Sequence, residues 1–204
     1  MATSGEGSGR ARPDRAHLIE QAALQVFYEK GYHGASIREI VKGAGISVAT
    51  LFHHYPSKAA ILEQILDLAA VEMRADLDQA LDGVTDPTER LTVAVQTMVL
   101  AHCERQRQSF VAQSEYRSLE AAARETNRVK RREIQQIFDE AVADGIAAGQ
   151  FSSPHPNDVA RAIVSLATAV ASWYRSDGAY SPEEVAAIQV EMAMSLVAAK
   201  VSAH

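Results

Sequence analysis

Ser36-Ile37-Arg38-Glu39-Ile40-Val41-Lys42-Gly43-Ala44-Gly45-Ile46-Ser47-Val48-Ala49-Thr50-Leu51-Phe52-His53-His54-Tyr55-Pro56-Ser57-Lys58 reads as two short helices joined by a glycine turn, with the start of a third behind them. Ser36 is placed to cap a helix in which Ile37, Ile40, Val41 and Ala44 recur at i, i+3, i+4 and i+7. One face is therefore apolar while Arg38, Glu39 and Lys42 stay in water. Gly45 ends that helix, because glycine takes the left-handed backbone that a tight helix-to-helix turn requires, and Ile46 fills the angle between the helices. Ser47 caps the second helix, which turns Val48, Leu51 and Tyr55 toward one face and Thr50, His53 and His54 elsewhere. Pro56 stops it and Ser57 caps the next. Lys58, in the first turn of that helix, has its charge opposed to the helix dipole, an oddity unless an anion lies there.

Two helices with this corner are the common device for setting one helix end into the major groove of DNA, where base edges present a readable donor and acceptor pattern. The plain alternative is a glycine corner in an all-helical interaction protein or small-molecule binding module with no DNA role. The order of residues favours the first. Residues 14 to 62 resemble the DNA-binding domain of TetR-family transcriptional regulators: Ala22 to Phe27 followed by Glu29-Lys30-Gly31-Tyr32, then Ser36-Ile37-Arg38-Glu39-Ile40, then Ala44-Gly45-Ile46-Ser47, then Thr50 to Lys58. The resemblance implies that Arg38 reads bases, that Val48, Ala49, Thr50 and His53 face the groove, and that Ser36, Phe52, His54 and Lys58 meet the DNA backbone. Ser47, at the turn, completes the expected DNA-binding set. Phe52 departs from the tyrosine of many relatives, so a hydroxyl-to-phosphate bond is missing.

The whole chain has 204 residues, 47% of them hydrophobic, enough for a small head on a larger body. Its longest apolar runs fall short of the ~20 residues that span a bilayer, and the Gly/Ser-rich start is unlike a secretory segment, so a cytoplasmic protein with no membrane partner is expected. A single cysteine, Cys103, excludes an internal disulfide and fits a buried structural thiol. The net charge of -6 at first opposes nucleic acid binding, but it is polarised. Residues 1 to 60 hold seven basic against five acidic side chains, whereas the remainder holds thirteen against twenty-one. A mildly basic head on an acidic body can face DNA with one end.

Three divisions are expected: a flexible arm over 1–12, a helix-turn-helix domain over 13–58, and a helical ligand-binding and dimerisation domain over 59–204. The fold class is all-α, with roughly nine helices. Leu18, Ile19, Ala22, Ala23, Val26 and Phe27 carry the first helix to a stop at Gly31, and Ile61, Leu62, Ile65, Leu66 and Met73 carry a long one from Ser57 to about Leu81. Asp86-Pro87 opens another, and a boundary is expected near Gln106 to Ser109. Arg124 to Arg132 holds five basic residues, a solvated helix face by the simplest reading. Asn157-Asp158 and Ser181-Pro182-Glu183-Glu184 open the last two helices. Their many small residues, Ala169 and Ala193 among them, suggest that each buries two faces, one against the body and one against a second subunit. In the TetR resemblance those two helices form a four-helix dimer interface.

No Gly-rich phosphate loop, Gly-x-Ser-x-Gly elbow or helical histidine pair at metal-binding spacing occurs, so neither an enzyme, a metal site nor a cofactor is expected. His102-Cys103-Glu104 are consecutive and cannot converge on one ion from a helix. The resemblance implies a homodimer, a near-palindromic double-stranded DNA operator and a small-molecule effector in a body cavity, for which Met73, Met98, His102, Phe110, Tyr116, Trp173 and Tyr174 are candidate lining residues. The stretch from Ala171 to Gly178, followed by Ser181 to Glu184, is similar to one in TetR-family members that answer to acyl-CoA thioesters, so an acyl-CoA-type or other apolar ligand that releases a repressor is the expectation.

Overall fold

The computed structural model describes residues 15–198 and is helical throughout, so the expected arm at 1–12 lies outside the described residues. Nine α-helices follow one another in this region: α1 (Arg15–Gly34), α2 (Ile37–Ala44), α3 (Val48–His54), α4 (Lys58–Ala80), α5 (Pro87–Glu104), α6 (Gln106–Ser114), α7 (Ala121–Ala147), α8 (Pro156–Trp173) and α9 (Pro182–Ala198). A single 3-10 turn, Tyr116–Ser118, joins α6 to α7. The expected stop at Gly31 appears as a break inside α1, where that residue takes φ +69° before one further turn.

Local chemistry sets these ends. Ser36 and Glu39 form a reciprocal capping box, with the Ser36 Oγ accepting from the Glu39 amide and the Glu39 carboxylate accepting from the Ser36 amide at 3.0 Å. Gly45 sits at φ +65° with no other atom crowding the position where a Cβ would stand, so the left-handed backbone alone calls for glycine. Asp86 accepts from the Glu89 amide at 2.9 Å ahead of Pro87, and Ser181 and Glu184 form a second capping box. α8 begins one residue earlier than the Asn157-Asp158 signal, because Pro156 takes the first helical position and leaves Asp158 inside the first turn.

Two apolar cores result. The head core holds Ile19, Ala23 and Phe27 of α1, Ile40 and Val41 of α2, Leu51 of α3, and Ile61, Leu62, Ile65 and Leu66 of α4, closed from the body side by Val111, Ala112 and Leu119. The body core is built by α5, α7, α8 and α9 around Phe138, Leu91, Val95, Ile163 and Val170, with Met73 and Leu77 of α4 reaching into it. The head expected over 13–58 thus shares its core with the first two turns of α4. One rigid helix belongs to both cores. α6 is fastened to α8 by two glutamines, Gln106 and Gln113, which donate at 2.8 Å to the carbonyls of Ala171 and Thr168.

Candidate nucleic-acid interface and effector cavity

The head presents α2 and α3 at one end of the molecule. Leu51 is fully buried and anchors α3, while Val48, Ala49, Phe52, His53 and His54 all face outward. Val48 is 43% exposed and Phe52 47%, unusual for apolar side chains on a seven-residue helix unless something covers them. Val48 therefore does not share the core face of Leu51, as its position in the sequence suggested. Ser47 caps α3 through the Thr50 amide at 3.1 Å, and its hydroxyl also meets the Thr50 hydroxyl at 2.9 Å, which fixes both small polar groups at the end of the helix. Arg38 and Lys42 are exposed on α2. The Tyr55 hydroxyl donates to the Glu20 carboxylate and ties the end of α3 back to α1. Lys30 pairs with Glu39, whose carboxyl is held down to about 2 by that ammonium and by the Ser36 hydroxyl and amide.

Lys58 has an inward role. Its ammonium donates at 2.7 Å to both the Tyr32 and the Ala35 carbonyl, and lies 4.4 Å from the centroid of the Tyr32 ring. The partial negative charge that offsets its position at the start of α4 is the carbonyl end of α1. Tyr32 in turn packs on Phe27 with ring centroids 5.6 Å apart.

The body contains a cavity of about 220 Å³. Leu66, Ala69, Ala70 and Met73 of α4 form one wall, Met98 and His102 of α5 another, and Ala112, Ile134, Val164 and Thr168 complete the apolar part. Arg105, Gln108, Gln113, Arg131 and Gln135 supply polar groups. Met73, Met98 and His102 are thus brought together as expected from the sequence. Tyr116 is not in the cavity but in an adjoining open groove with Arg117, Ser165 and Ala169, and Arg131 lines both spaces. Phe110 lies elsewhere, edge-on to Tyr28 at 5.2 Å on the head side. Tyr174 is buried in the body core, and Trp173 is 49% exposed on the outer surface of α8. Neither aromatic lines the cavity: the last turn of α8 buries Val170 and Ala171, followed by Tyr174, in the core and leaves Trp173 on the opposite, solvent side. Arg131 is the residue that sequence reasoning passed over: it looked like one more charge in a basic run.

His102 is 8% exposed, and neither of its ring nitrogens has a hydrogen-bond partner. Burial, then the positive charges of Arg105 and Arg131, push its pKa down to about 4, so the imidazole is neutral at pH 7. Its neighbour Cys103 is also buried, and burial with the nearby Glu104 and Glu183 carboxylates lifts the thiol to about 11. Among the described residues no group of three or more His, Cys, Asp or Glu side chains could hold a metal ion, and no helix is long and apolar enough to cross a membrane.

On the far side of α8 and α9, Leu166, Ile188, Met192 and Leu196 line a shallow groove with Glu191 and Ser195. Leu166 and Met192 are exposed. Ala193, expected at a subunit contact, instead points into the protomer's own core beside Val197. Of the α9 alanines, Ala186 and Ala193 serve close packing inside the chain, while Ala187 and Ala198 are exposed. Ala169 is half-buried at the edge of the open groove.

Comparison with known proteins bears on the head and on the body as domains. Residues 19–65 match the family model described as "Bacterial regulatory proteins, tetR family", and residues 84–197 match "Tetracyclin repressor-like, C-terminal domain". The transcriptional repressor KstR2 of Mycolicibacterium smegmatis is 26% identical over 173 residues, which cover 84% of each chain. A tetR-family regulatory protein from Rhodococcus RHA1 superposes with a TM-score of 0.87 at 28% identity, covering 93% of this chain and all of that one. AibR, solved in complex with isovaleryl coenzyme A and operator DNA, superposes with a TM-score of 0.81 at 20% identity, over 88% of this chain and 97% of its own, which speaks to the fold. The matched family models span the head and most of the body, and the chain belongs to the TetR family of DNA-binding transcriptional regulators.

Proposed function

We propose that the protein is a repressor that binds a near-palindromic operator as a homodimer and is released from it by a small molecule held in the body cavity. The observation that carries this reading is the span of α4: Ile61, Leu62, Ile65 and Leu66 stand in the head core, while Leu66, Ala69, Ala70 and Met73 form a wall of the cavity. A ligand that swells the cavity pushes on the helix that holds the head. Two heads on a dimer must stand about 34 to 36 Å apart, or a multiple of it, to enter successive major grooves, so a tilt of α4 that shifts them a few ångströms spoils the fit. We assign Arg38, Val48, Ala49, Thr50 and His53 to the groove and Ser36, Ser47, Phe52 and His54 to the DNA backbone, with the head extending past residue 58 into the first turns of α4. Lys58 holds the head in shape and makes at most a secondary phosphate contact. Leu166 and Met192 meet the second subunit.

The effector class best matched by a largely apolar cavity with a polar mouth is an acyl compound, coenzyme A thioesters included. AibR, a protein of this fold, was solved in complex with isovaleryl coenzyme A and operator DNA, which supports the thioester class. Selection from a random duplex library tests the DNA reading: the expected product is a pair of inverted half-sites one helical turn apart, and recovery of no enriched sequence would contradict it. Adding octanoyl coenzyme A to the selected duplex then tests release, which appears as a fall in bound DNA.

A further inference from the structure

We infer that Arg131 is the receptor for an anionic group on the effector, with His102 beside it as a hydrogen-bond partner for a neutral polar atom of the same ligand. The inference rests on the proposed effector cavity and specifies what enters it: an apolar body ending in an anion.

Arg131 is an unusual cation. Its neighbours in the basic run are either paired or in water: Arg128 pairs with Glu125 and Lys130 with Asp67, while Arg124 and Arg132 are exposed. Across the cavity, Arg105 takes Asp76 and approaches Glu72. Arg131 has no carboxylate partner among the described residues. It is held by neutral groups alone: Nε donates to the Asn127 side-chain oxygen at 3.0 Å, Nη2 donates to the Ala112 carbonyl, and the guanidinium lies 4.5 Å from the centroid of the Tyr116 ring. A largely desolvated guanidinium fixed by neutral acceptors remains a full positive charge seeking an anion, and its planar fork suits a carboxylate or a phosphate. Burial pulls its pKa below the usual guanidinium value.

Its location fits that use. Arg131 stands where the cavity meets the adjoining groove of Tyr116, Arg117 and Ser165, so a ligand with its apolar part among Met73, Met98 and Ile134 would carry its charged end past this side chain. His102 lines the same cavity with both ring nitrogens unpartnered. A neutral imidazole offers one donor and one acceptor, and a ligand carbonyl would satisfy the donor. The two orphaned features, an unmatched cation and an unmatched histidine, lie within one cavity and call for one amphipathic ligand.

The test compares octanoate, octanoyl coenzyme A and octanol on the full-length protein by calorimetry, with Arg131→Met and Arg131→Lys variants checked for folding by their thermal melts. Octanoate presents a carboxylate and octanoyl coenzyme A a phosphate-bearing end, so the arm that binds identifies the anion's source. The expected result is that at least one of these acids binds the wild type about ten- to hundredfold more tightly than octanol, that Arg131→Met removes the difference, and that Arg131→Lys keeps part of it. Equal binding of acid and alcohol by the wild type, no binding of either acid, or discrimination that survives Arg131→Met would each overturn the inference. The wild-type comparison stands even if a variant fails to fold. Operator titrations separate this from the wider reading. Release by octanol would leave ligand-driven release standing and sink the anion receptor, whereas Arg131-dependent binding without loss of operator would do the reverse.

Discussion

The Asn127 side-chain amide donates to the backbone carbonyl of Leu66 at 3.0 Å, joining α7 to the middle of α4. Asn127 is buried, and its oxygen is the acceptor for Arg131 Nε. A chain of direct bonds therefore leads from a guanidinium at the cavity mouth to the helix that carries the head. Replacing Asn127 by Leu removes both bonds and leaves Arg131 short of an acceptor, at an expected cost of about 1 to 3 kcal/mol in unfolding free energy. If the chain transmits the ligand's pull, the variant should also keep ligand affinity within a few-fold while operator release weakens. Urea unfolding and operator anisotropy, with and without octanoyl coenzyme A, measure the two effects separately.

Arg38 and Lys58, grouped together by sequence as DNA contacts, should behave differently. Arg38→Ala alters an exposed side chain, so stability should move by no more than about 0.5 kcal/mol while operator binding loses about 1 to 3 kcal/mol if the guanidinium reads a base. Lys58→Met removes two bonds from an ammonium to the end of α1 and should destabilise the head by about 1 to 3 kcal/mol, with little change in the salt dependence of DNA binding. A salt slope reduced by about one unit at unchanged stability would instead make Lys58 a phosphate contact.

The helix-turn-helix was legible because each of its joints is local chemistry: Ser36 with Glu39, Gly45 at positive φ, Ser47 with Thr50. The cavity was legible only in part. Met73, Met98 and His102 could be picked as apolar or amphipathic residues on helices bound to meet, whereas Phe110, Trp173 and Tyr174 share that character and point elsewhere. Helical periodicity does not distinguish two buried faces. For the same reason the alanines of α9 could not be sorted between core and subunit contact, and Ala193 proved to be core. Arg131 and Lys58 were hidden for a different cause, since what sets each apart is a pair of acceptors 4 to 26 positions away in the chain.

The outer face of α8 and α9 gives a paired prediction. Leu166→Glu or Met192→Glu should leave the protomer folded but split the dimer, because a charge would have to be buried at the subunit contact at a cost of several kcal/mol, about 3 to 5 for an unpaired one. Ala193→Glu places the charge inside the protomer and should instead lower its melting temperature sharply. Sedimentation and thermal unfolding distinguish the two outcomes. A dimer that survives both Leu166→Glu and Met192→Glu would move the interface elsewhere.

His102 should make stability depend on pH. Its pKa is near 6.5 when unfolded and about 4 when folded, so between those values the unfolded chain binds the extra proton. The stability contributed by a neutral His102 is fully present above about pH 6.5 and is lost progressively as pH falls toward 4, by about 3 kcal/mol in all. His102→Leu should flatten that part of the profile in urea unfolding at successive pH values. An unchanged slope between pH 6.5 and 4 would mean that the ring is charged or solvated in the folded protein.

Ligand and operator must antagonise one another if release works through α4. The decisive measurement is calorimetric titration of the wild-type dimer with octanoyl coenzyme A, alone and when saturated with its selected operator duplex. A hundredfold loss of operator affinity corresponds to about 2.7 kcal/mol of coupling, and linkage requires that the operator weaken ligand binding by the same factor. The predicted result is a matched loss in both directions. Ligand affinity unchanged by the operator would contradict a ligand-released repressor.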